Sequence, residues 1–557
     1  MSFAPGTAAL PTSEVEVSIS CRSLRGMDVF SKSDPMVVVY RQLFGDKKWA
    51  EIGRTETIEN THDPDFAKKF LIPYHFEEMQ PLLFRVFDVD SSSVKLEDHD
   101  FIGMASCSLA QIISSGKVKL NLTKKEGGGK AHGQMILSAE ELSQVKDHVV
   151  LQFQGKKLDK KNFFGKSDPF LVFMKAMESG DFNVVHKTEV LKGTVNPLWK
   201  SFSIPVRLLC NGDPERTIKI VCYDWNSSGN NVVIGEFETT LNEMSEGPGL
   251  KTTYQLINKK KQEKKKSSYK GSGTIFLLHY EKQKAFSFLD YIRGGTNIHC
   301  SFAIDFTGSN GSPTSPDSLH YISTMPNSYE IAIQSVGNII KDYDSDQQFP
   351  VLGFGARVPP DGHISHEFFV NLSTDNPYCT GIEGVLSAYR NCIRQVQLHG
   401  PTNFSPVIQH VAKFASVFKD GTNYFILLII TDGVITDMVK TVKAIVSAST
   451  LPMSIIIIGV GSADFDAMEV LDSDGVPLTA SDGTKAARDI VQFVPLRNFM
   501  KSGTNPHSTM ERLAKEVLAE VPTQFLSFMR SNHVIPRPVN ENIQPVELPP
   551  DPELLCA

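Results

Sequence analysis

Short runs of alternating or mostly apolar residues fill the first half of the chain. They include EVEVSIS (14–20), MVVVY (36–40) and LLFRVFD (82–88), and clusters of Gly, Pro, Asp and Asn separate them. Runs of this length and period predict β-strands that bury one face. Many short strands divided by turn residues are typical of an antiparallel β-sandwich.

The pattern changes after Glu281, where longer apolar runs alternate with stretches that have helical spacing. The runs are CSFAIDF (300–306), FPVLGFG (349–355), YFILLIITDG (424–433), MSIIIIGVG (453–461) and IVQFVPL (490–496). Helical spacing is found in residues 328–343 and 405–420. Continuous apolar strands are typical of parallel sheets, which are buried on both faces. We therefore expect a doubly wound α/β domain whose ligand site lies beyond the carboxyl ends of its strands.

The first half of the chain is a duplication. FSKSDPMVVVY (30–40) recurs as FGKSDPFLVFM (164–174), and RTETIENTHDPDF (54–66) recurs as KTEVLKGTVNPLW (187–199). The copies lie much further apart than the ~20–50 residues of a solenoid repeat, so each copy indicates a whole domain. We predict sandwiches at residues 1–140 and 141–284, an α/β domain at 285–532 and a Pro-rich, disordered tail at 533–557.

Acidic side chains gather in two loops of the first copy. Asp28 and Asp34 lie in one loop, and Asp88, Asp90 and Asp100 lie in another. Loops at one end of a sandwich converge, and clustered carboxylates repel each other unless a cation neutralises them. Calcium accepts about six to eight oxygens in flexible geometry, so it fits better than magnesium or zinc. One such Asp alone is equally consistent with ordinary turn chemistry.

Both copies resemble C2 domains, through D-x5-D-P in the first of these loops and D-x-D in the other. The resemblance implies that calcium in the first copy leaves coordination positions for lipid phosphates. Calcium also removes the negative charge of the loop tip, which is worth ~1 kcal/mol per unit charge at an anionic surface. We expect phosphatidylserine-like membranes as the partner. The candidate apolar contacts are Val29, Phe30, Val94 and Leu96. Because the loop before Asp100 is long, Asp98 competes with Asp100 as a ligand.

The second copy has lost part of this charge. By alignment, Asn162, Asn226 and Val232 replace Asp28, Asp90 and Asp100, while Asp168 and Asp224 remain. Each Asn removes a negative charge and Val removes the ligand, so we expect weak calcium binding or none. Phe163 and Phe164 keep the loop tip apolar. They are candidates for contact with a membrane or a neighbouring domain, and core packing is the alternative.

Oxygen ligands follow the predicted strands of the last domain. Asp305, Thr307 and Ser309 form D-x-T-x-S after one strand, Thr402 lies in HGPTNF, and Asp432 lies in ITDG. Two carboxylates and three hydroxyls suit a hard cation such as Mg²⁺ (or Mn²⁺), with water or a partner's carboxylate completing the shell. The set resembles the metal-ion-dependent adhesion site of von Willebrand factor A domains. D-x-T-x-S alone is also consistent with a simple strand-to-loop turn.

Further segments extend the resemblance along the chain. They are IDFTGSNG (304–311), DYDSD (342–346), GFGARVPP (353–360), GPTNF (400–404), LPMSIIIIGVG (451–461) and ARDIVQFVP (487–495). These segments, and the order of two C2 domains before an A-type domain, resemble the copine family. The resemblance implies calcium-dependent phospholipid binding and recruitment of intracellular proteins by the A-type domain.

Composition narrows the class of protein. A formal net charge of -7 argues against general nucleic-acid binding, and the eight cysteines form no C-x-x-C pair. Neither a signal peptide nor a run of ~20 apolar residues is visible. We expect a cytoplasmic protein that moves to the plasma membrane when calcium rises. The lysine run at 259–270 predicts a solvated loop, with an anionic-lipid patch or a nuclear-targeting segment as alternatives.

Two other classes of protein are alternatives. One is a kinase-like or ligase-like enzyme that a C2 module carries to membranes, although the sequence holds no Walker A, G-x-S-x-G, H-R-D or zinc-ligase Cys/His motif. The other is an extracellular adhesion receptor, which the missing export signal and unpaired cysteines disfavour. We expect an adaptor without enzymatic activity.

Overall fold

Two antiparallel sheets form the first sandwich. Its elements are β1 (Ser13–Arg22), β2 (Pro35–Gln42), β3 (Trp49–Arg54), β4 (Phe70–Tyr74), β5 (Pro81–Asp88), β6 (Asp100–Ser108), α1 (Leu109–Ser115), β7 (Lys117–Asn121) and β8 (Gln134–Glu141). The strand orders are β7-β8-β1-β4 and β3-β2-β5-β6. In β1, Val15, Val17 and Ile19 are buried, while the polar residues between them are at least partly exposed. This alternation confirms the predicted sandwich.

The computed structural model describes most of the chain. The described residues are 13–26, 32–45, 47–124, 130–141, 147–160, 167–177, 181–226, 231–284, 286–472, 477–500, 505–539 and 544–548. The chain divides into two compact units. One unit consists of Met1–Leu142 with Phe288–Ala557, and the other consists of Ser143–Ser287.

The unit Ser143–Ser287 is the second sandwich. Its elements are β9 (His148–Lys156), β10 (Pro169–Ala176), β11 (Phe182–Lys187), β12 (Phe202–Pro205), α2 (Val206–Cys210), β13 (Ile218–Asp224), β14 (Val232–Thr239), α3 (Leu241–Ser245), β15 (Thr253–Gln255), α4 (Lys259–Lys265) and β16 (Thr274–Gln283). The strand orders are β11-β10-β13-β14 and β12-β9-β16-β15. Phe153, Phe173 and Trp199 lie in the core between the sheets.

The lysine run forms a helix, so the predicted loop is wrong for Lys259–Lys265. The Asn258 side chain accepts a hydrogen bond from the Lys261 backbone and caps the helix. Two of its lysines form ion pairs within the sandwich: Lys259 with Glu236 and Lys261 with Asp159. These pairs offset the mutual repulsion of the lysines at the start of the helix.

A parallel sheet organises the last domain. Its elements are α5 (Phe288–Arg293), β17 (Asn297–Asp305), α6 (Ser328–Ile340), β18 (Gln348–Phe354), β19 (Ala356–Val358), β20 (His363–Ser365), β21 (Phe368–Phe369), β22 (Tyr378–Thr380), α7 (Gly381–Cys392), β23 (Gln397–Leu398), α8 (Ser405–Ala415), β24 (Asn423–Thr431), α9 (Met438–Ala448), β25 (Met453–Gly459), α10 (Asp466–Asp472), β26 (Val491–Pro495), α11 (Pro506–Leu518) and α12 (Val521–Ser531). The order is β21-β18-β17-β24-β25-β26.

The five predicted apolar runs are the parallel strands of this sheet. β17 pairs with β18 on one side and with β24 on the other, and β25 and β26 continue the sheet in the parallel sense. The strand order therefore reverses at β17, which places a topological switch point beside its carboxyl end. The predicted α/β domain is confirmed. Among the described residues, none of the helices has both the length and the apolar character to cross a membrane.

Part of the tail is ordered, so the predicted disorder of residues 533–557 is wrong for a short segment. β27 (Val546–Glu547) pairs in parallel with β7 at the edge of the first sandwich. The Glu547 carboxylate lies 3.0 Å from Lys119 Nζ and accepts a hydrogen bond from Asn121 Nδ2 at 2.9 Å. An edge strand offers unpaired backbone groups to such a segment, and composition alone does not reveal this partner.

The first sandwich and the α/β domain meet within one compact unit. Their contacts include hydrogen bonds from the Ser108 hydroxyl to Asp342, at 2.6 Å, and between the Tyr74 and Tyr343 hydroxyls. Both tyrosines are buried. Phe76 packs against Tyr343 with a ring-centroid distance of 5.0 Å. The junction between the two domains therefore has an aromatic core, and residues 342–343 supply part of it.

We predict that the tyrosine pair is strongly coupled. Tyr343→Phe should lower the free energy of unfolding by about 1–3 kcal/mol, because the buried Tyr74 hydroxyl is left without its partner. The double variant Tyr74→Phe, Tyr343→Phe should be close to wild type, because neither hydroxyl is then left buried alone. Urea unfolding of the full chain, arranged as a double-mutant cycle, measures this coupling. Strictly additive effects of the two substitutions would contradict it.

Candidate functional site

Strand pairing brings four of the predicted calcium ligands together in the first sandwich. Pro35 pairs with Asp88, and Asp88 pairs with Asp100 across β5 and β6. The Asp34 backbone N–H donates to Asp88 Oδ1 at 2.6 Å, and the Asp100 N–H donates to Asp90 Oδ2 at 3.0 Å. Asp34, Asp88, Asp90 and Asp100 therefore belong to one loop cluster, held by the ends of three strands.

Asp88 has the clearest requirement for a cation. The residue is only 2% exposed, and its Oδ2 atom accepts no hydrogen bond from any part of the chain that the structure describes. A buried carboxylate oxygen without a donor costs free energy unless a cation satisfies it. The surrounding donor set is made of carboxylate oxygens, which is the chemistry that calcium prefers. The residues present therefore fit a calcium ion.

The remaining predicted residues of the first sandwich have different surroundings. Asp98 accepts a hydrogen bond from the Ser93 hydroxyl, inside the loop that precedes β6. Val94 is 82% exposed, whereas Leu96 is half-buried and packs against the apolar cluster that contains Phe87. The prediction of Leu96 as an insertion residue is therefore weakened by its packing, and Val94 is the better placed of the two. Asp28, Val29 and Phe30 lie outside the described residues.

The second sandwich keeps the geometry but supplies its own cation. The Asp168 N–H donates to Asp224 Oδ1 at 2.6 Å, as in the first copy. Lys192 Nζ, however, lies 3.4 Å from Asp168 Oδ2 and 3.4 Å from the centroid of the Trp225 ring. The ammonium group partly neutralises the carboxylate where the first copy, by alignment, has Glu59.

The other predicted ligands of the second copy are less favourable for calcium. Asp224 pairs with Val232, which takes the position that Asp100 holds in the first copy. The Asn226 backbone N–H donates to Asn231 Oδ1 at 2.9 Å. Asn162, Phe163 and Phe164 lie outside the described residues. The sequence reasoning missed Lys192, although the exchange of Glu for Lys between the repeats was a visible signal.

The structure brings the predicted magnesium ligands to the carboxyl edge of the parallel sheet. Asp305 ends β17, and its Oδ1 accepts hydrogen bonds from the Thr307 backbone N–H and hydroxyl at 2.8 and 2.6 Å. The Thr307 and Ser309 hydroxyls are 2.9 Å apart, and Ser309 donates to Asp432 Oδ1 at 2.9 Å. A Cβ placed on Gly433 would lie 3.4 Å from Thr402 Oγ1 and 3.6 Å from Ser309 Oγ. All five predicted residues therefore surround one point.

Supporting side chains that the sequence did not reveal hold these ligands in place. The Thr431 hydroxyl donates to Asp305 Oδ2 at 2.6 Å, and Asn310 Nδ2 donates to Asp432 Oδ1 at 3.0 Å. The buried Tyr329 hydroxyl in turn donates to Asn310 Oδ1 at 2.6 Å. Thr431 was visible as the first residue of T-D-G. Asn310 and Tyr329 needed the fold, because the helix that carries Tyr329 is remote from the strand ends in sequence.

The two carboxyl groups of this site lack a counter-charge. Burial, and secondarily the charge of Asp432, raise the pKa of Asp305 from 3.8 to about 7. Burial also raises the pKa of Asp432. A divalent cation among the five oxygen ligands would stabilise both carboxylates, so the residues present fit Mg²⁺ or Mn²⁺.

The raised pKa of Asp305 predicts a pH dependence of stability in the metal-free protein. The folded state holds this proton more tightly than the unfolded state, so its contribution to stability is complete below pH 3.8 and is lost as the pH rises through about 7. In a chelator, wild type should therefore lose stability relative to Asp305→Asn between about pH 5 and 7, by up to ~1.4 kcal/mol per pH unit. Urea unfolding of both proteins measures the difference, and a pH-independent difference would contradict the prediction.

Comparison with known families agrees with the observed domain order. The C2 domain model matches residues 14–124 and 148–256. The Copine model matches residues 318–537.

Solved structures that resemble parts of the chain are C2 domains. A structure of BON1-C2B is 25% identical and covers 25% of this chain and 94% of its own, with a TM-score of 0.21. A single C2 domain of plant Extended Synaptotagmin 1 is 25% identical and covers 26% and 98%, with a TM-score of 0.20. The calcium-bound pair of C2 domains of Extended-Synaptotagmin 2 is 13% identical and covers 49% and 98%, with a TM-score of 0.20.

The matched families define a broad functional class. C2 and copine proteins are typically non-enzymatic regulators, and this combination of domains supports a membrane-associated adaptor that binds calcium and phospholipids. Two C2 domains followed by a copine domain is the arrangement that distinguishes copines from other C2 proteins. The three matches occur in this order along the sequence, and the chain therefore belongs to the copine family.

Proposed function

We propose that this protein docks on anionic membranes when calcium binds the first C2 domain, and that its A-type domain then recruits protein partners through a bound divalent metal. The observation that best supports the first step is the buried Asp88 Oδ2, which has no donor in the described part of the chain. Calcium would satisfy this oxygen and neutralise the surrounding carboxylates. The charge of the loop tip would then no longer repel an anionic leaflet.

The two C2 domains have different roles in this proposal. The first domain responds to calcium, because its carboxylates are clustered without a neighbouring lysine among the described residues. The second domain carries Lys192 beside Asp168 and therefore has less affinity left for a metal. We assign it a calcium-independent role in the encounter with the membrane or with a partner.

The metal of the A-type domain would be held by Asp305, Thr307, Ser309, Thr402 and Asp432. Magnesium supplies a hard positive centre that attracts a carboxylate from a protein partner. The chain's own contribution is to orient the ligands: Thr431 and Asn310 hold the two carboxylates through hydrogen bonds of 2.6 and 3.0 Å. A partner that offers an acidic side chain is therefore the expected cargo.

Vesicle sedimentation of the full chain tests the membrane step. We expect the protein to sediment with phosphatidylserine vesicles in calcium, to stay in the supernatant in chelator, and to bind phosphatidylcholine vesicles weakly in both conditions. A fluorescent fusion should correspondingly move from the cytoplasm to the plasma membrane when cellular calcium is raised. Equal sedimentation in calcium and in chelator would contradict the proposed switch.

A further inference from the structure

A second group of potential metal ligands lies at the opposite edge of the A-type sheet. His299 is near the start of β17, and Asp344 and Asp346 lie in the loop between α6 and β18. One ligand atom from each side chain lies within 4.8 Å of the others. Because six residues of extended strand separate His299 from Asp305, the group is ~20 Å from the adhesion-type site and is distinct from it.

Asp344 is buried without a hydrogen-bond donor. The residue is 3% exposed, and neither of its carboxylate oxygens accepts a hydrogen bond from the residues that the structure describes. Its nearest polar neighbour is His299 Nδ1, which lies 3.4 Å from Oδ1. An isolated carboxylate in such a place is costly unless a cation or a proton accompanies it.

The hydrogen bonds around His299 determine which ring nitrogen faces this carboxylate as a lone pair. Thr422 Oγ1 donates to Asp420 and accepts from Asn423 Nδ2, so the Asn423 amide oxygen is turned toward the histidine. Asn423 Oδ1 then accepts a hydrogen bond from His299 Nε2 at 2.8 Å. In the neutral ring, Nδ1 therefore presents its lone pair to Asp344.

Two electron-rich atoms that face each other need a positive group between them. A histidine whose second nitrogen donates to a fixed oxygen is the arrangement found in most protein metal sites. One imidazole and two carboxylates favour zinc over calcium or magnesium, which prefer ligand sets made entirely of oxygen. Asp346 is exposed, so water has access to complete the coordination.

We propose that His299, Asp344 and Asp346 form a binding site for a zinc-like divalent metal. The metal would bind Nδ1 of the histidine and one oxygen of each carboxylate, with water in the fourth position. The same loop carries Asp342 and Tyr343, which contact the first C2 domain through Ser108 and Tyr74. Metal binding would therefore stiffen the loop that joins the two domains within this unit.

Zinc retention by the full chain tests the site. Wild type and variants are incubated with zinc in excess calcium and magnesium, passed through a desalting column, and analysed for bound metal. Wild type should retain about one zinc equivalent more per chain than His299→Gln or Asp344→Asn, and Asp346→Asn should lower the affinity by at least about tenfold. Zinc should also raise the unfolding temperature of wild type more than that of the variants.

The variants differ in their risk to folding. Asp346 is exposed, so Asp346→Asn keeps the test valid if the buried Asp344→Asn does not fold. His363→Gln is a matched control, because His363 also lies beside an aspartate, Asp361, but on the surface. Zinc bound by the separate group His75, Glu77 and Glu78 would be equal in all these proteins. Equal retention by wild type, His299→Gln and Asp346→Asn would overturn the proposal and leave a proton as the occupant.

Discussion

Replacing Asp88 and Asp90 by Asn will remove most of the calcium-dependent sedimentation of the full chain with phosphatidylserine vesicles. The substitutions keep the size of both side chains, and the amide oxygen introduced by Asp88→Asn would still accept the Asp34 backbone N–H that Asp88 accepts at 2.6 Å. They remove two negative charges from the proposed calcium site. Because calcium affinity depends strongly on ligand charge, we expect the calcium needed for half-maximal sedimentation to rise by roughly a hundredfold.

A matched substitution in the second C2 domain separates a specific effect from a general one. Asp224 occupies the position of Asp88 and accepts the corresponding backbone hydrogen bond from Asp168. Because Lys192 already lies beside Asp168, we expect Asp224→Asn to change the calcium midpoint by less than about threefold. Loss of binding in Asp224→Asn, with normal binding in the first-domain variant, would show that the switch lies in the second domain instead.

Replacing Asp305 by Ala will remove the binding of Mg²⁺ or Mn²⁺ to the A-type domain and leave lipid binding intact. Asp305 is fully buried and would supply one of only two carboxylates in the site. Loss of a group that merely supports a ligand costs about 10–100-fold in metal affinity, so loss of a charged ligand should cost more. Titration calorimetry with Mn²⁺ measures the metal affinity. Vesicle sedimentation of the same preparation measures the lipid binding.

Two further variants control this second experiment. Asp305→Asn keeps an oxygen acceptor for the Thr431 hydroxyl and removes only the charge, so it should fold well and still bind Mn²⁺ poorly. Asp361→Ala removes an exposed aspartate of the same domain and should bind Mn²⁺ as wild type does. If Asp305→Ala lost lipid binding and metal binding equally, the two sites would not act separately.

The sequence predicted the elements whose signals are local. The five apolar runs became the five parallel strands because buried strands read as continuous hydrophobic segments. Asp305 and Asp432 were predicted to meet because the carboxyl ends of neighbouring parallel strands lie at one edge of a sheet. The duplication also placed Asp34 and Asp88 correctly, since related sequences form the same loops in both sandwiches.

Features that depend on distant contacts were not predictable. The ion pair of Lys192 with Asp168 requires the two loops to be adjacent, and the pairing of β27 with β7 joins segments from the two ends of the chain. The unpaired oxygens of Asp344 become visible only when burial is known. Composition likewise gave no indication that the first C2 domain and the A-type domain share a junction around Tyr343.

A crystal of the full chain soaked in calcium tests the central claim most directly. The account predicts anomalous density for an ion bound by Asp34, Asp88 and Asp90, with Asp88 Oδ2 in the coordination shell, and no comparable density between Asp168 and Asp224. Aspartates of the first C2 domain that stay uncoordinated at saturating calcium, or an ion in the second domain alone, would contradict it.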